Sequence, residues 1–131
     1  MMETYLSNYF RKLHDHVMSF ETKKMEESLY LIRQTHKNSR KILIFGNGGS
    51  AGIASHFSVD LTKVAGVRCL NFNEAALITC YGNDYGYNLW VQKALEHYMD
   101  PGDLTILISS SGQSMNMVNA ANYVRHMSNK T

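Results

Sequence analysis

Between residues 3 and 38 the apolar positions fall at helical spacing. Tyr5, Leu6, Tyr9, Phe10, Leu13, Val17 and Phe20 recur every three or four residues, and Met25, Leu29 and Ile32 repeat the interval. No glycine precedes Gly46 and no proline precedes Pro101, so nothing in this stretch interrupts a helix. The pattern predicts one bent helix or two in succession, with a break near Phe20 and Glu21 and with Thr22 capping the second. The apolar face is long and aromatic. It is expected to pack on its own domain or against a second copy of the chain.

The period changes after Arg40. KILIFG is a short continuous apolar run closed by a glycine, the pattern of a parallel strand buried on both faces. Ser50 to about Val64 reads as a helix, with Ser50 near its N-cap and Ile53, Phe57 and Leu61 as its core stripe. VRCLNF is a second strand, EAALITCYG a short helix, GNDYGY a turn and NLWVQKALEHYM another helix. DPGD places a glycine where a type II turn wants positive φ. It leads into a third strand, LTILIS, and then a last helix from Met115 to about Met127. Short strands alternating with helices predict an α/β fold, a parallel sheet flanked by helices on both faces. Residues 1–38 then form an N-terminal helical extension for packing or oligomerisation, and 39–131 the α/β domain.

Composition narrows the partners. The 131 residues are 44% hydrophobic and 18% charged, ordinary for one soluble domain. A formal net charge of +2 with scattered basic residues gives no argument for nucleic acid. No apolar run reaches the roughly 18–20 residues that span a bilayer, and MMETYLSNYF lacks the layout of a signal peptide. No membrane association is expected. Cys69 and Cys80 have no CxxC spacing and lie in apolar surroundings, which predicts free thiols and a cytoplasmic protein.

The candidate chemistry lies in two loops of one design, GNGGS (Gly46 to Ser50) and SSSGQS (Ser109 to Ser114). Each follows a buried strand and opens a helix. Ligands of open parallel sheets sit beyond the carboxyl ends of the strands, where both loops are expected. Backbone N–H groups at a helix start attract an anion, so Gly48 and Gly49 become candidate phosphate-binding positions. Hydroxyls of Ser50, Ser109, Ser110, Ser111 and Ser114 add donors. The alternative is that the glycines make tight turns and the serines cap helices, and two such loops in succession favour the anion site.

A Walker loop is excluded because no lysine stands in 46–62. Gly46 to Ala51 fits the dinucleotide pattern G-x-G-x-x-[GA], but the acid expected near the end of the second strand is replaced by Asn71, Phe72 and Asn73, with Glu74 next. No nucleotide cofactor is expected. His56 and Asp60, four apart, share a helix face. They read as a surface ion pair, as an acid/base pair for moving protons between adjacent sugar carbons, or as two ligands of a metal. Asp84, between two glycines, is placed on a turn. Tyr81, Tyr85 and Tyr87 are expected to pack against the N-terminal helices.

GNGGSAGIASHF, ITCYGNDYGY and DLTILISSSGQS, in this order, resemble the SIS (sugar isomerase) domain, and within it the phosphoheptose isomerase group. The likeness covers essentially the whole chain. It implies a flavodoxin-like sheet and conversion of sedoheptulose 7-phosphate to D-glycero-D-manno-heptose 7-phosphate, as in heptose synthesis for lipopolysaccharide. It also implies a homo-oligomer, typically a tetramer, with sites between subunits. On matching positions, Asn47, Ser50, Ser109, Ser110, Ser111 and Ser114 would hold the phosphosugar and Asp84 would meet the sugar hydroxyls. The acid at Asp60, beside His56, would move the proton, and some members bind zinc there.

Two departures stand out. The family's acid at the position of Asp60 is typically glutamate, one methylene longer, which opens the prospect of a different phosphosugar. Members also continue through another strand and a helix carrying a glutamine and a histidine, so the C-terminal part of the family fold is absent from these 131 residues. With strand order 2-1-3, residues 104–109 would form an open edge. The chain is therefore expected to be a fragment, or to have its edge covered by another copy. The competing function is a non-catalytic SIS protein that binds a phosphosugar or a protein partner in a regulatory role.

Overall fold

The computed structural model describes residues 1–128. The chain forms two compact units, Met1–Tyr30 and Leu31–Thr131. The first contains α1 (Met2–Met18) and the opening turns of α2 (Thr22–Lys37). Two helices therefore replace the single bent one as the outcome, and Thr22 is the first helical residue of α2 rather than its cap. No residue of α1 is buried, and Tyr5, Phe10 and Val17 are each more than half exposed.

The second unit is built around β1 (Ile42–Gly46), which lies between β2 (Cys69–Asn71) and β3 (Leu104–Ile108), parallel to both. Ile42 registers with Cys69 on one side and Leu104 on the other, and Gly46 registers with Ile108. Successive β1 residues point to opposite faces, so one run of apolar residues supplies two cores. Leu43 and Phe45 join Phe72, Trp90, Val91, Leu95 and Met117 on one face, while Ile42 and Ile44 join Ala54, Leu61 and Val67 on the other. Every β1 residue is buried, whereas every β3 residue is only half-buried. Among the described residues β3 pairs only with β1, which leaves it an edge strand.

Between the strands run α3 (Gly49–Val59), continued by one π-helical turn over Asp60–Val64, then α4 (Ala75–Tyr85), α5 (Trp90–Tyr98) and, after β3, α6 (Met115–Ser128). The stripe that α3 buries is Ala54, Ser58 and Leu61, not Ile53, Phe57 and Leu61; Ile53 is 60% exposed. Small residues at 54 and 58 let the helix axis approach the sheet, and the buried Ser58 hydroxyl is satisfied by donating to Ser55 O at 2.7 Å. Beyond them the π turn, closed by Ala65 N–H to Asp60 O at 3.1 Å, brings Leu61 into the same core. Thr62 Oγ1 accepts from Cys69 N at 3.2 Å, which ties that turn to the start of β2.

The amino end of the sheet is closed by charge. Lys41 Nζ lies 2.5 Å from Asp100 Oδ2 and 2.6 Å from Asp103 Oδ2, and Asp103 also accepts from the backbone N–H of Lys41 and of Asp100. The Asp103 carboxylate is 1% exposed and the Lys41 side chain 15%. Burial acts to raise the Asp103 pKa, but the hydrogen bonds from Lys41 and the backbone outweigh it and hold the group below the usual carboxylate range. Burial likewise acts against the Lys41 ammonium, and the two carboxylates reverse that effect and raise it above the ordinary lysine value. Gly102 sits at φ 86° in this turn, as the DPGD pattern requires. No helix among the described residues is long and apolar enough to cross a membrane.

Candidate functional site

The two glycine- and serine-bearing loops leave adjacent parallel strands at the same end. The first begins at Gly46, where a Cβ would overlap the Ser50 carbonyl and the Ala51 nitrogen. Only glycine allows the strand end to pass this close to the first turn of α3. Gly48, at φ 52°, is the N-cap of α3, so the cap falls two residues before Ser50 and involves no side chain. Ser50 N–H and Ala51 N–H are taken by Asn47 O and Gly48 O at 2.9 and 3.0 Å. Among the described residues the amides of Gly48 and Gly49, both exposed, have no acceptor. They are the orphan donors of a helix start, with the dipole of α3 behind them.

The second loop gathers its hydroxyls. Ser109 Oγ lies 3.1 Å from Ser114 Oγ and 3.5 Å from Ser111 Oγ, and Ser111 Oγ accepts from Gln113 N at 3.1 Å. Gly112, at φ 65°, makes the turn between them. Ser114 O accepts from Met117 N and Val118 N, which starts α6. The hydroxyls of Ser50 and Ser110 make no hydrogen bond among the described residues, so both remain available to a ligand.

What joins the loops is a pair of amides, Asn47, which the sequence analysis names, and Asn116, which it does not. Asn47 Nδ2 donates to Asn116 Oδ1 at 3.0 Å, and Asn116 Nδ2 donates back to Asn47 Oδ1 at 2.9 Å. Tyr87 adds a third bond, its hydroxyl donating to Asn47 Oδ1 at 3.0 Å. Asn116 is 2% exposed. A signal for it existed: Asn116 stands one turn before the fully buried Ala120, a polar residue on an apolar stripe. Tyr87 and Tyr81 both find partners within the second unit. The Tyr87 hydroxyl meets Asn47, while Tyr81 packs beside the core around Trp90, edge-on to Tyr85, with its hydroxyl 2.8 Å from His97 Nδ1.

Asp84 lies in the last turn of α4 rather than on a turn outside it, because the helix continues through Gly82 and Asn83 and ends at Gly86 (φ 81°). Its carboxylate is exposed, accepts from Asn83 Nδ2 at 2.9 Å and lies 3.7 Å from Cys80 Sγ. A carboxylate at the negative end of a helix dipole does nothing for the helix. Tyr87, three residues on, contacts Asn47, so the segment that carries Asp84 arrives at the first loop. Glu74, the acid nearest the place a ribose would occupy, caps α4 by accepting from Ala76 N and Leu77 N at 3.0 and 2.9 Å. Those two bonds also lower its pKa.

His56 Nε2 and Asp60 Oδ2 are 3.6 Å apart on α3 and its π turn, exposed to 82% and 53%. They face away from the core, with Ile53 and Phe57. Zinc in a protein is held by three or four ligands. Among the described residues no third histidine, cysteine, aspartate or glutamate joins this pair, so by themselves these residues do not fit zinc.

Three comparisons bear on this arrangement. The sequence profile of a family described as "SIS domain" matches residues 4–131. The phosphoheptose isomerase of Aliarcobacter butzleri is 36% identical over 115 residues, which make up 82% of this chain and 60% of that protein. That of Helicobacter hepaticus is 38% identical over 114 residues, 81% of this chain and 57% of that protein. The chain thus spans under two thirds of the length of these curated relatives. Among solved structures, phosphoheptose isomerase GmhA from Neisseria gonorrhoeae superimposes with a TM-score of 0.86 at 25% identity, over 96% of this chain and 71% of that one. A phosphoheptose isomerase from Francisella tularensis gives 0.85 at 21% identity, a likeness of fold, with the same coverage.

Proposed function

The chain belongs to the SIS-domain family, and from that premise we propose that it forms the phosphosugar-binding part of an aldose–ketose isomerase acting on sedoheptulose 7-phosphate. The observation that carries this reading is the junction of the two loops. Asn47 and Asn116 hold the starts of α3 and α6 side by side, with the free amides of Gly48 and Gly49 on one side and the serine hydroxyls on the other. Phosphate oxygens accept from both sets, and no lysine or arginine is needed to hold them. Ser50, Ser109, Ser110, Ser111 and Ser114 supply the hydroxyls. Asp84, at the segment leading to Tyr87, accepts from hydroxyls of the sugar.

In the isomerisation a base takes a proton from C1 of the ketose and the resulting enediol is protonated at C2, while the O1 proton passes to O2. We assign the carbon proton to Asp60 and the hydroxyl proton to His56, which two turns of helix carry away from the phosphate loop. The near-solvated setting of this pair and the short aspartate side chain favour one competitor, a regulatory protein that binds the phosphosugar without turning it over.

Calorimetric titration with sedoheptulose 7-phosphate tests the site. Binding that is lost in Ser50→Ala and Ser111→Ala supports it, and no binding by the folded protein overturns it. Asp60→Asn then separates the two readings: an isomerase loses turnover and keeps its ligand, whereas a regulator loses neither.

A further inference from the structure

We propose that Tyr87 and Asn116 are positioning residues that orient the Asn47 amide so that it offers a ligand a hydrogen-bond donor and no acceptor. The inference rests on the site reading above and adds a polarity to it. An amide's oxygen and nitrogen are told apart by their partners, and here the partners form a chain that starts at a backbone group. Met117 N–H, which donates to Ser114 O at 2.9 Å, also faces Asn116 Oδ1 at 3.1 Å, and a peptide N–H cannot accept, so the atom of Asn116 placed there is its oxygen. Asn116 Nδ2 must then point at Asn47, and the atom it meets at 2.9 Å must be the Asn47 oxygen.

That oxygen receives a second donor from the Tyr87 hydroxyl at 3.0 Å. A carbonyl oxygen has two lone pairs, and both are now engaged. The Asn47 nitrogen has two hydrogens, of which one goes to Asn116 Oδ1 at 3.0 Å. One N–H remains. Tyr87, having donated its only proton, has only lone pairs to offer. The turn that carries it is held in place on α6, since Asn119 Nδ2 donates to Asn88 O at 3.0 Å.

The arrangement therefore distinguishes ligand atoms. Next to Asn47 it favours an oxygen that only accepts, as in a phosphate or a carbonyl. Next to the Tyr87 oxygen it favours a hydroxyl that donates. A phosphorylated polyol presents both kinds of group at once, whereas inorganic phosphate held beside Asn47 has no sugar chain to carry a hydroxyl on to Tyr87.

The test is a double-mutant cycle read by affinity for sedoheptulose 7-phosphate. Asn116→Ala is expected to weaken binding about tenfold in the native background, the scale of one lost hydrogen bond to a charged group, and to cause no further loss once Asn47→Ala is present. Additive losses would mean that Asn116 acts on the structure at large, and would overturn the proposal. Tyr87→Phe, which removes only an exposed hydroxyl, is expected to weaken the sugar phosphate severalfold and inorganic phosphate less. Equal losses for both ligands would overturn the polarity assigned to Tyr87.

A ligand-free readout keeps this inference separate from the functional reading. In nitrogen-15 spectra of the side-chain amides, one Asn47 proton should exchange with solvent while its geminal partner and the Asn116 protons are protected. Tyr87→Phe should shift the Asn47 pair. Two equally exchanging Asn47 protons would refute the fixed amide. A protein that shows the protected amide but binds no sugar phosphate would instead refute the function.

Discussion

At the amino end of the sheet, Lys41 lies between Asp100 and Asp103, and a nearly buried carboxylate accepts every donor in reach. At the carboxyl end no lysine or arginine occurs from Ile42 to Thr62, and neutral amides and hydroxyls do the joining. The same three strands support both ends. The charged end is internally complete, and its groups shift one another's pKa in the directions that keep both ionised. Among the described residues, the neutral end leaves the Gly48 and Gly49 amides, one Asn47 N–H and the hydroxyls of Ser50 and Ser110 without partners. The difference teaches where to look for function: an end whose polar groups satisfy one another holds the fold, and an end with ordered donors left over can hold a ligand.

The largest effect should come from removing the charged end. Asp103→Ala leaves Lys41 with one exposed partner and two backbone amides without an acceptor. It is expected to lower the unfolding free energy by about 3–5 kcal/mol, measured by urea denaturation. Affinity of the remaining folded protein for sedoheptulose 7-phosphate should hold; a parallel fall in affinity would show that the two ends are not independent. The converse substitution is Ser111→Ala. Affinity should drop by about tenfold or more, as for a lost hydrogen bond to a charged acceptor, while stability moves by less than about 0.5 kcal/mol.

A smaller effect follows from pH. Asp103 has a folded pKa below its unfolded value, so its contribution is present above the unfolded pKa and is lost as pH falls through the folded one. Lys41 has a raised folded pKa, so its contribution is present below the unfolded value and is lost as pH rises through the folded one. The stability difference between the native protein and Asp103→Asn should therefore be flat from about pH 5 to 10 and shrink in acid below about pH 4. A difference that peaks near pH 7 would contradict the ion pair.

The finest distinction uses the two thiols, one at each end. Cys69, buried opposite Ile42, has its pKa pushed up to about 11 by burial, and should resist alkylation at neutral pH until the protein unfolds. Cys80, exposed and beside Asp84, should react in the folded protein. Sedoheptulose 7-phosphate should slow Cys80 and leave Cys69 unchanged. Equal protection of the two would place the ligand elsewhere.

The outline of the second unit was legible in the sequence because its signals are local. KILIFG and LTILIS are apolar runs bounded by glycine and serine, and parallel strands joined by helices allow few arrangements, of which 2-1-3 is the one found. The glycine at 46, the positive-φ glycine of DPGD and the loops at the strand ends follow from the same reading. What failed depended on partners distant in the chain. Periodicity alone could not choose between the stripes through Ile53 and through Ala54, which lie one residue and about 100° apart on the helix. The choice was made by the sheet, which admits the smaller side chains of Ala54 and Ser58 close to its surface. Two flanking glycines put Asp84 on a turn by local reading, yet the Glu74 cap and the packing of Leu77 and Ile78 carry the helix past Gly82.

The sequence by itself determined the elements, their order in the sheet and the kind of loop that ends each strand, since each is set by residues within a few positions of one another. Only the tertiary structure decided that Asn47 would meet Tyr87 and Asn116, 40 and 69 residues away, and so which hydrogen atoms remain for a ligand. A hydrogen bond depends on position to a few tenths of an ångström and on the direction of each lone pair, and residue types along a chain specify neither until the strands and helices have packed.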